Sequence, residues 1–173
     1  MLPSQSMAIS NDSRHAPATM KGSATIDERA KNCFGCGPDN PQGLHLAFST
    51  DTSVPGHPTA TAHFQLDQLH EGPPGYVHGG IIATLMDEAM SKINRPLNVL
   101  AVTRHMEVDY LRPVPLYQPL TVTSRHVQRE GRKLFHRAEI LSPDGTVLAR
   151  GKGVFIELDK ALLSRAGFTQ PED

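Results

Sequence analysis

Residues 75–96 read GYVHGGIIATLMDEAMSKINRP, and the rest of the chain reads as strand or tail around this segment. Ile81, Ile82, Leu85, Met86, Ala89, Met90 and Ile93 recur at steps of one, three and four. That is the repeat of a helix with one buried face. Asn94 and Pro96 stop it. The start is unusual, because Gly79 and Gly80 are poor helix formers, each costing roughly 1 kcal/mol against alanine inside a helix. Helix N-termini expose unpaired N–H groups and carry partial positive charge, so glycines there let an oxygen approach without meeting a Cβ. This is the geometry of an oxyanion hole.

Further along the same helix stand Asp87 and Glu88. At about 100° per residue, Ala83, Asp87 and Ser91 form a small and polar stripe away from the apolar face. Along one helix Asp87 lies roughly 10 Å beyond the Gly80 amide at 1.5 Å per residue, too far for both to hold one reacting group. If both act together, two copies of the helix have to meet antiparallel. As a lone helix carboxylate, Asp87 reads more simply as a solvated surface residue.

The run VHGGIIATLMD from Val77 to Asp87 resembles the signature of hotdog-fold acyl-CoA thioesterases, in particular the phenylacetate-degradation branch. In that family His-Gly-Gly opens a long helix, an Asp or Glu nine positions after the His is catalytic, and the next strand supplies a Ser or Thr. Here His78 is followed by Asp87 at the ninth position, and Thr103 falls on the next expected strand. The resemblance covers residues 32–159. It implies an α+β hotdog fold, in which an antiparallel sheet wraps around one long central helix. It also implies a site built from Asp87, Gly79, Gly80, His78 and Thr103, an acyl-CoA substrate, and a homodimer or a tetramer made of two dimers. His78 is expected to hold the loop and position the glycine amide rather than act as the base. Many relatives place Asn or Gln six residues before the His to bind the thioester oxygen, and this chain has Gly72 there, beside Glu71. The oxyanion hole then either lacks that side-chain donor or takes one from another residue.

A chain of 173 residues is long enough for one domain with a core and short for two. The formal net charge of -1 points to neither nucleic acid nor an acidic membrane. Between Arg125 and Lys152, however, Lys and Arg outnumber Asp and Glu seven to three. That excess suits a solvated strand face or a phosphate-bearing ligand such as CoA. The N-terminus lacks a basic opening followed by an apolar run, and no segment approaches the roughly 18 apolar residues of a membrane span. A soluble cytoplasmic protein is expected. The two cysteines stand three apart in NCFGCG, where adjacent glycines suggest a tight loop rather than a disulfide framework. A four-ligand zinc site needs two more ligands, for which His45 with another His is the nearest offer. No metal and no cofactor are expected.

Residues 1–25 lack periodicity and read as a flexible tail, 26–160 as the domain and 161–173 as a C-terminal tail. A helical turn is expected at 26–31. Leu44, Leu46 and Phe48 alternate with polar residues, as do Ala60, Ala62, Phe64 and Leu66, which predicts two half-buried strands joined by a hairpin. After the helix, extended segments are expected at 99–111, 120–128, 133–141 and 147–158, with Arg104, Glu107 and Asp109 on the surface. One helix covering one face of an antiparallel sheet is a stable α+β solution. The expected activity is hydrolysis of an acyl-CoA thioester. The alternatives are a non-catalytic acyl-CoA-binding hotdog protein and an acyl-thioester hydratase or dehydratase, although the histidine pattern of the latter is not found here.

Overall fold

The computed structural model of the chain describes residues 30–159 and 161. The tails expected at 1–25 and after residue 161, and most of the turn expected at 26–31, lie outside the described residues. A short 3-10 turn at Ala30–Asn32 is what is seen of that turn.

Alternating apolar residues build one six-stranded antiparallel sheet. Its strands are β1 (Ser49–Asp51), β2 (Thr59–Phe64), β3 (Ala101–Tyr110), β4 (Leu120–Glu130), β5 (Lys133–Leu141) and β6 (Val147–Glu157). They lie in the order β1-β2-β4-β5-β6-β3. Helix α1 (Gly79–Ser91) packs across the inner face and continues into a 3-10 turn at Lys92–Asn94. Ile82, Leu85, Met86, Ala89, Met90 and Ile93 are buried, and Ile81 packs at the margin of the same core. They meet Val122, Leu134, Ala138, Ile140, Ala149 and Phe155 from the sheet. At about 25 cal/mol per Å² of apolar surface, this shared burial is the main force holding helix to sheet. Among the described residues no helix is long and apolar enough to cross a membrane.

The segment Leu44–Phe48 is not a strand, contrary to its alternation. His45 adopts a left-handed conformation (φ 49), and the amides of Leu44 and Leu46 donate to the carbonyls of Phe34 and Gly35 at 2.7 and 2.9 Å. The period was real, because Leu46 is buried and Leu44 and Phe48 touch the core. The backbone partner is the cysteine loop, and the strand begins only at Ser49.

The two edges of the sheet differ. At one end β1 has three residues; at the other β3 has ten and pairs only with β6 among the described strands. An irregularity between Thr103 and His105 shifts its register. Met106, Val108 and Tyr110 sit opposite the inward positions Gly153, Gly151 and Ala149, yet Thr103 sits opposite the buried Phe155. The extra residue, Arg104, turns Thr103 to the helix side, as a β-bulge does.

Candidate active site

The approach to α1 is shaped by backbone pairing. Val77 N–H donates to Val114 O at 2.9 Å and His78 N–H to His70 O at 2.9 Å. His78 itself keeps an extended conformation (φ −61, ψ 137) and caps the helix. Its Nδ1 accepts from Gly80 N–H at 3.0 Å, so in the neutral ring the proton resides on Nε2. The amides of Ile81 and Ile82 bond to His78 O at 2.9 and 3.1 Å. Gly79 N–H is left without an acceptor among the described residues. The two glycines, which the sequence reading offered together, are therefore unequal: Gly80 is engaged by the cap, and Gly79 presents its donor. Gly79 is also held from the sheet, because Tyr110 Oη donates to its carbonyl at 3.1 Å. Nothing in the sequence singled out Tyr110, since the two residues are 31 positions apart.

Two turns along, Asp87 is half-buried, and its Oδ1 accepts a 2.6 Å hydrogen bond from Thr103 Oγ1. Oδ2 has no hydrogen-bond partner among the described residues. The carboxylate is thus oriented by one oxygen and open at the other, at the exposed β3 edge. Gly79 and Asp87 of one chain remain about 12 Å apart along the helix axis at 1.5 Å per residue.

Three of the positive residues between Arg125 and Lys152 share the outer face of the sheet. Arg125, Arg137 and Lys152 stand in one cross-strand row, bordering a concavity of about 350 Å³. Arg150 pairs with Glu139 at 2.9 Å and Lys152 with Glu107 at 3.4 Å. This concavity is on the opposite face from Asp87 and Thr103, so its size carries no weight against the oriented carboxylate.

Other titratable clusters flank α1. His126 and His136 are buried, with Nδ1 atoms 3.2 Å apart, and His136 Nε2 lies 3.0 Å from Asn94 Oδ1. Asn94 Oδ1 can only accept, so His136 carries its proton on Nε2 and accepts at Nδ1 from His126. Burial, then the neighbouring His126, pushes His136 down to about 4. Burial, then His57 and Arg129, lowers His126 as well. Neither ring faces the Asp87 edge. Near the far end of α1, Cys33, Cys36, Glu88 and Lys92 come together. Burial, then hydrogen bonding to Glu88, pushes the Cys36 thiol up to about 12, which leaves it protonated and a poor nucleophile.

Known proteins resemble this chain in sequence and in fold. The thioesterase superfamily profile matches residues 74–149, from the glycine loop through β6's first residues. Over that segment, which is less than half of the chain, the sequence is similar to the thioesterase superfamily. Acyl-coenzyme A thioesterase THEM4 of Xenopus laevis is 36% identical over 96 residues, covering 55% of this chain and 43% of that protein. The match thus spans less than half the length of this curated relative. A solved structure described as a thioesterase superfamily protein superposes with a TM-score of 0.70 at 27% identity, covering 82% of this chain and 70% of that one. A hypothetical thioesterase from Streptococcus pneumoniae, solved with coenzyme A, gives a TM-score of 0.56 at 19% identity, covering 64% of this chain and 88% of that one. At that identity the likeness is one of fold.

The departure at Gly72 has a steric counterpart. A Cβ there would lie 2.8 Å from His78 Cα, so the loop backs directly onto the cap and leaves no room for a side chain. The adjacent Glu71 is turned away, accepting from Gly75 N–H at 2.6 Å.

Proposed function

We propose that this protein hydrolyses acyl-CoA thioesters to free acid and CoA, at sites shared between two copies of the chain. The observation that carries the reading is the Asp87–Thr103 hydrogen bond at an exposed strand edge. It holds one carboxylate oxygen and leaves the other for a water or for the substrate. The thioester carbonyl oxygen takes the Gly79 N–H at the start of α1, where the helix dipole favours developing negative charge. Asp87 of the second copy deprotonates water or attacks directly, and Thr103 orients it. His78 keeps Gly80 in the cap and so sets the direction of the Gly79 amide.

The edge of β3 away from β6 supports the pairing of copies. Ten residues of strand whose second side is unpaired among the described residues form a template for another chain, and Val102 and Tyr110 are 50% and 55% exposed there. Two such edges meeting antiparallel bring the α1 of one copy beside that of the other. Cys33 and Cys36 are free thiols, which suits a reducing compartment such as the cytoplasm.

The test is free-thiol release from a panel of aliphatic and aromatic acyl-CoAs by the wild-type protein and Asp87→Asn. Hydrolysis by the wild type and its loss in the variant are expected. Acyl-CoA binding without thiol release by the wild type points instead to a non-catalytic binding protein. Gain or loss of an enoyl double bond without thiol release identifies a hydratase or dehydratase.

A further inference from the structure

The cysteine loop is built more carefully than a surface turn requires. Gly37 N–H donates to Cys33 O at 2.8 Å, and Cys33 N–H to Ala30 O at 2.9 Å, which folds the chain into a knuckle with both thiols on one side. The carbonyls of the two intervening residues, Phe34 and Gly35, are held by Leu44 and Leu46. Gly37 allows the return, since a Cβ there would lie 2.3 Å from Lys31 O. Gly35 allows the approach of α1, since a Cβ there would lie 2.5 Å from Glu88 Oε2. Both glycines thus serve to bring a helix carboxylate against two thiols.

The outcome is a group of three ligand atoms, Cys33 Sγ, Cys36 Sγ and a Glu88 carboxylate oxygen, all within 4.8 Å of one another. A cation already lies among them: Lys92 Nζ is 2.8 Å from Cys36 Sγ and 2.8 Å from Glu88 Oε1. Its stem packs over the Phe48 ring, with Nζ 5.9 Å from the centroid, and its side chain is 28% exposed, so solvent is open to it.

We propose that Cys33, Cys36 and Glu88 bind a divalent cation of the zinc class, and that Lys92 is its internal competitor. Two sulfur ligands select a borderline or soft ion over magnesium or calcium. Zinc–sulfur and zinc–oxygen bonds of about 2.3 and 2.1 Å need ligand atoms roughly 3.5–3.8 Å apart, a contraction of about 1 Å at most from the present spread. On binding, each thiol gives its proton to the buffer, the Lys92 ammonium swings into solvent still protonated, and a water completes four-coordination. Two thiolates and a carboxylate against a divalent ion leave one negative charge, which faces solvent on the side the ammonium vacates. The ion ties the N-terminal loop to the residue next to Asp87. The site does not depend on the thioesterase reading.

The experiment is a cobalt(II) titration of the full-length, reduced, chelator-stripped protein in the absence of oxygen. Cys33 and Cys36 are the only cysteines in the chain, so any thiolate-to-cobalt charge-transfer band reports this loop. A band that saturates at one ion per chain and is displaced by zinc is expected. It disappears in Cys33→Ser and in Cys36→Ser, and binding weakens in Glu88→Gln. Lys92→Met removes the competitor and tightens binding by about tenfold, the lower end of what outer-shell changes do to metal sites. Absence of the band in both wild type and Lys92→Met, each shown folded by circular dichroism, overturns the proposal. So does cobalt binding without a thiolate band. A Glu88→Gln variant that binds as tightly as wild type removes the third ligand, and with it the site as drawn.

Discussion

The segment from Gly79 to Asn94 makes polar contacts on two sides, and they are built in opposite ways. Toward β3, Asp87 meets Thr103 at an exposed edge, and one carboxylate oxygen stays unused. Toward β4 and β5, Ser124 Oγ donates to Ala89 O at 2.6 Å, and a buried chain of hydrogen bonds runs from His126 through His136 to Asn94. Polar groups sealed from water have to satisfy one another, because an unmatched one costs about 1–3 kcal/mol. Polar groups at an edge are free of that demand and can keep capacity for a ligand. The difference separates a contact that holds the fold from one available for chemistry.

The sharpest way to break this comparison is Asp87→Asn. Losing a positioned general base costs roughly 10²- to 10⁴-fold in turnover, while the melting temperature should stay near the wild-type value. Near-normal thiol release would move the chemistry elsewhere, with Glu88 the first place to look. Thr103→Val should follow at about 10- to 100-fold, since it removes one hydrogen bond to a charged group without removing the base.

Mixing Gly79→Val with Asp87→Asn asks whether the exposed contact is completed by a second copy. Each variant alone should be inactive. After random subunit exchange half the dimers are mixed and each holds one intact site, so recovery should reach about a quarter of wild-type activity. A Cβ at position 79 would meet the Tyr110 ring at 3.6 Å, ordinary contact, so the valine variant should fold. Verified heterodimers without activity would dismiss the shared site.

The buried side should respond in stability alone. Asn94→Ala leaves the His136 Nε2–H unmatched and should cost about 1–3 kcal/mol in denaturant unfolding, with thiol release per folded molecule unchanged. A matching loss of activity would mean that the two sides are coupled. The pH dependence has the same source. His136 takes up a proton near 6.5 in the unfolded chain but only near 4 when folded. Between those values the unfolded chain holds more protons, so stability is full above about 6.5 and declines as the pH falls toward about 4. The lowered His126 adds to the decline with the same sign. Urea midpoints measured from pH 7 to pH 4 should show it, and replacing His136 with Gln should flatten the slope.

Much of the fold was legible because periodicity reports burial directly. The apolar steps from Ile82 to Ile93 mark the buried face of α1, and the alternation in 133–141 marks β5 to the residue. His78, Gly79 and Asp87 could be picked out because they lie on one continuous segment at fixed spacing. The reading failed at Leu44–Phe48, where burial alternates but the backbone partner is a loop, and periodicity says nothing about partners.

What the sequence determined by itself was which residues turn inward and where α1 begins. Only the tertiary structure decided which distant groups meet. Counting back by twos from Met106 and Val108 puts Thr103 on the outer face, and the bulge at Arg104 is what brings it to Asp87. Likewise His45, the nearest candidate partner to Cys33 and Cys36 in sequence, is turned outward by its backbone, whereas Glu88 arrives from a helix 55 residues away in sequence. Local patterns are fixed by steric preference and apolar period. Register shifts and long-range approaches are settled by the packing of the whole sheet against its helix.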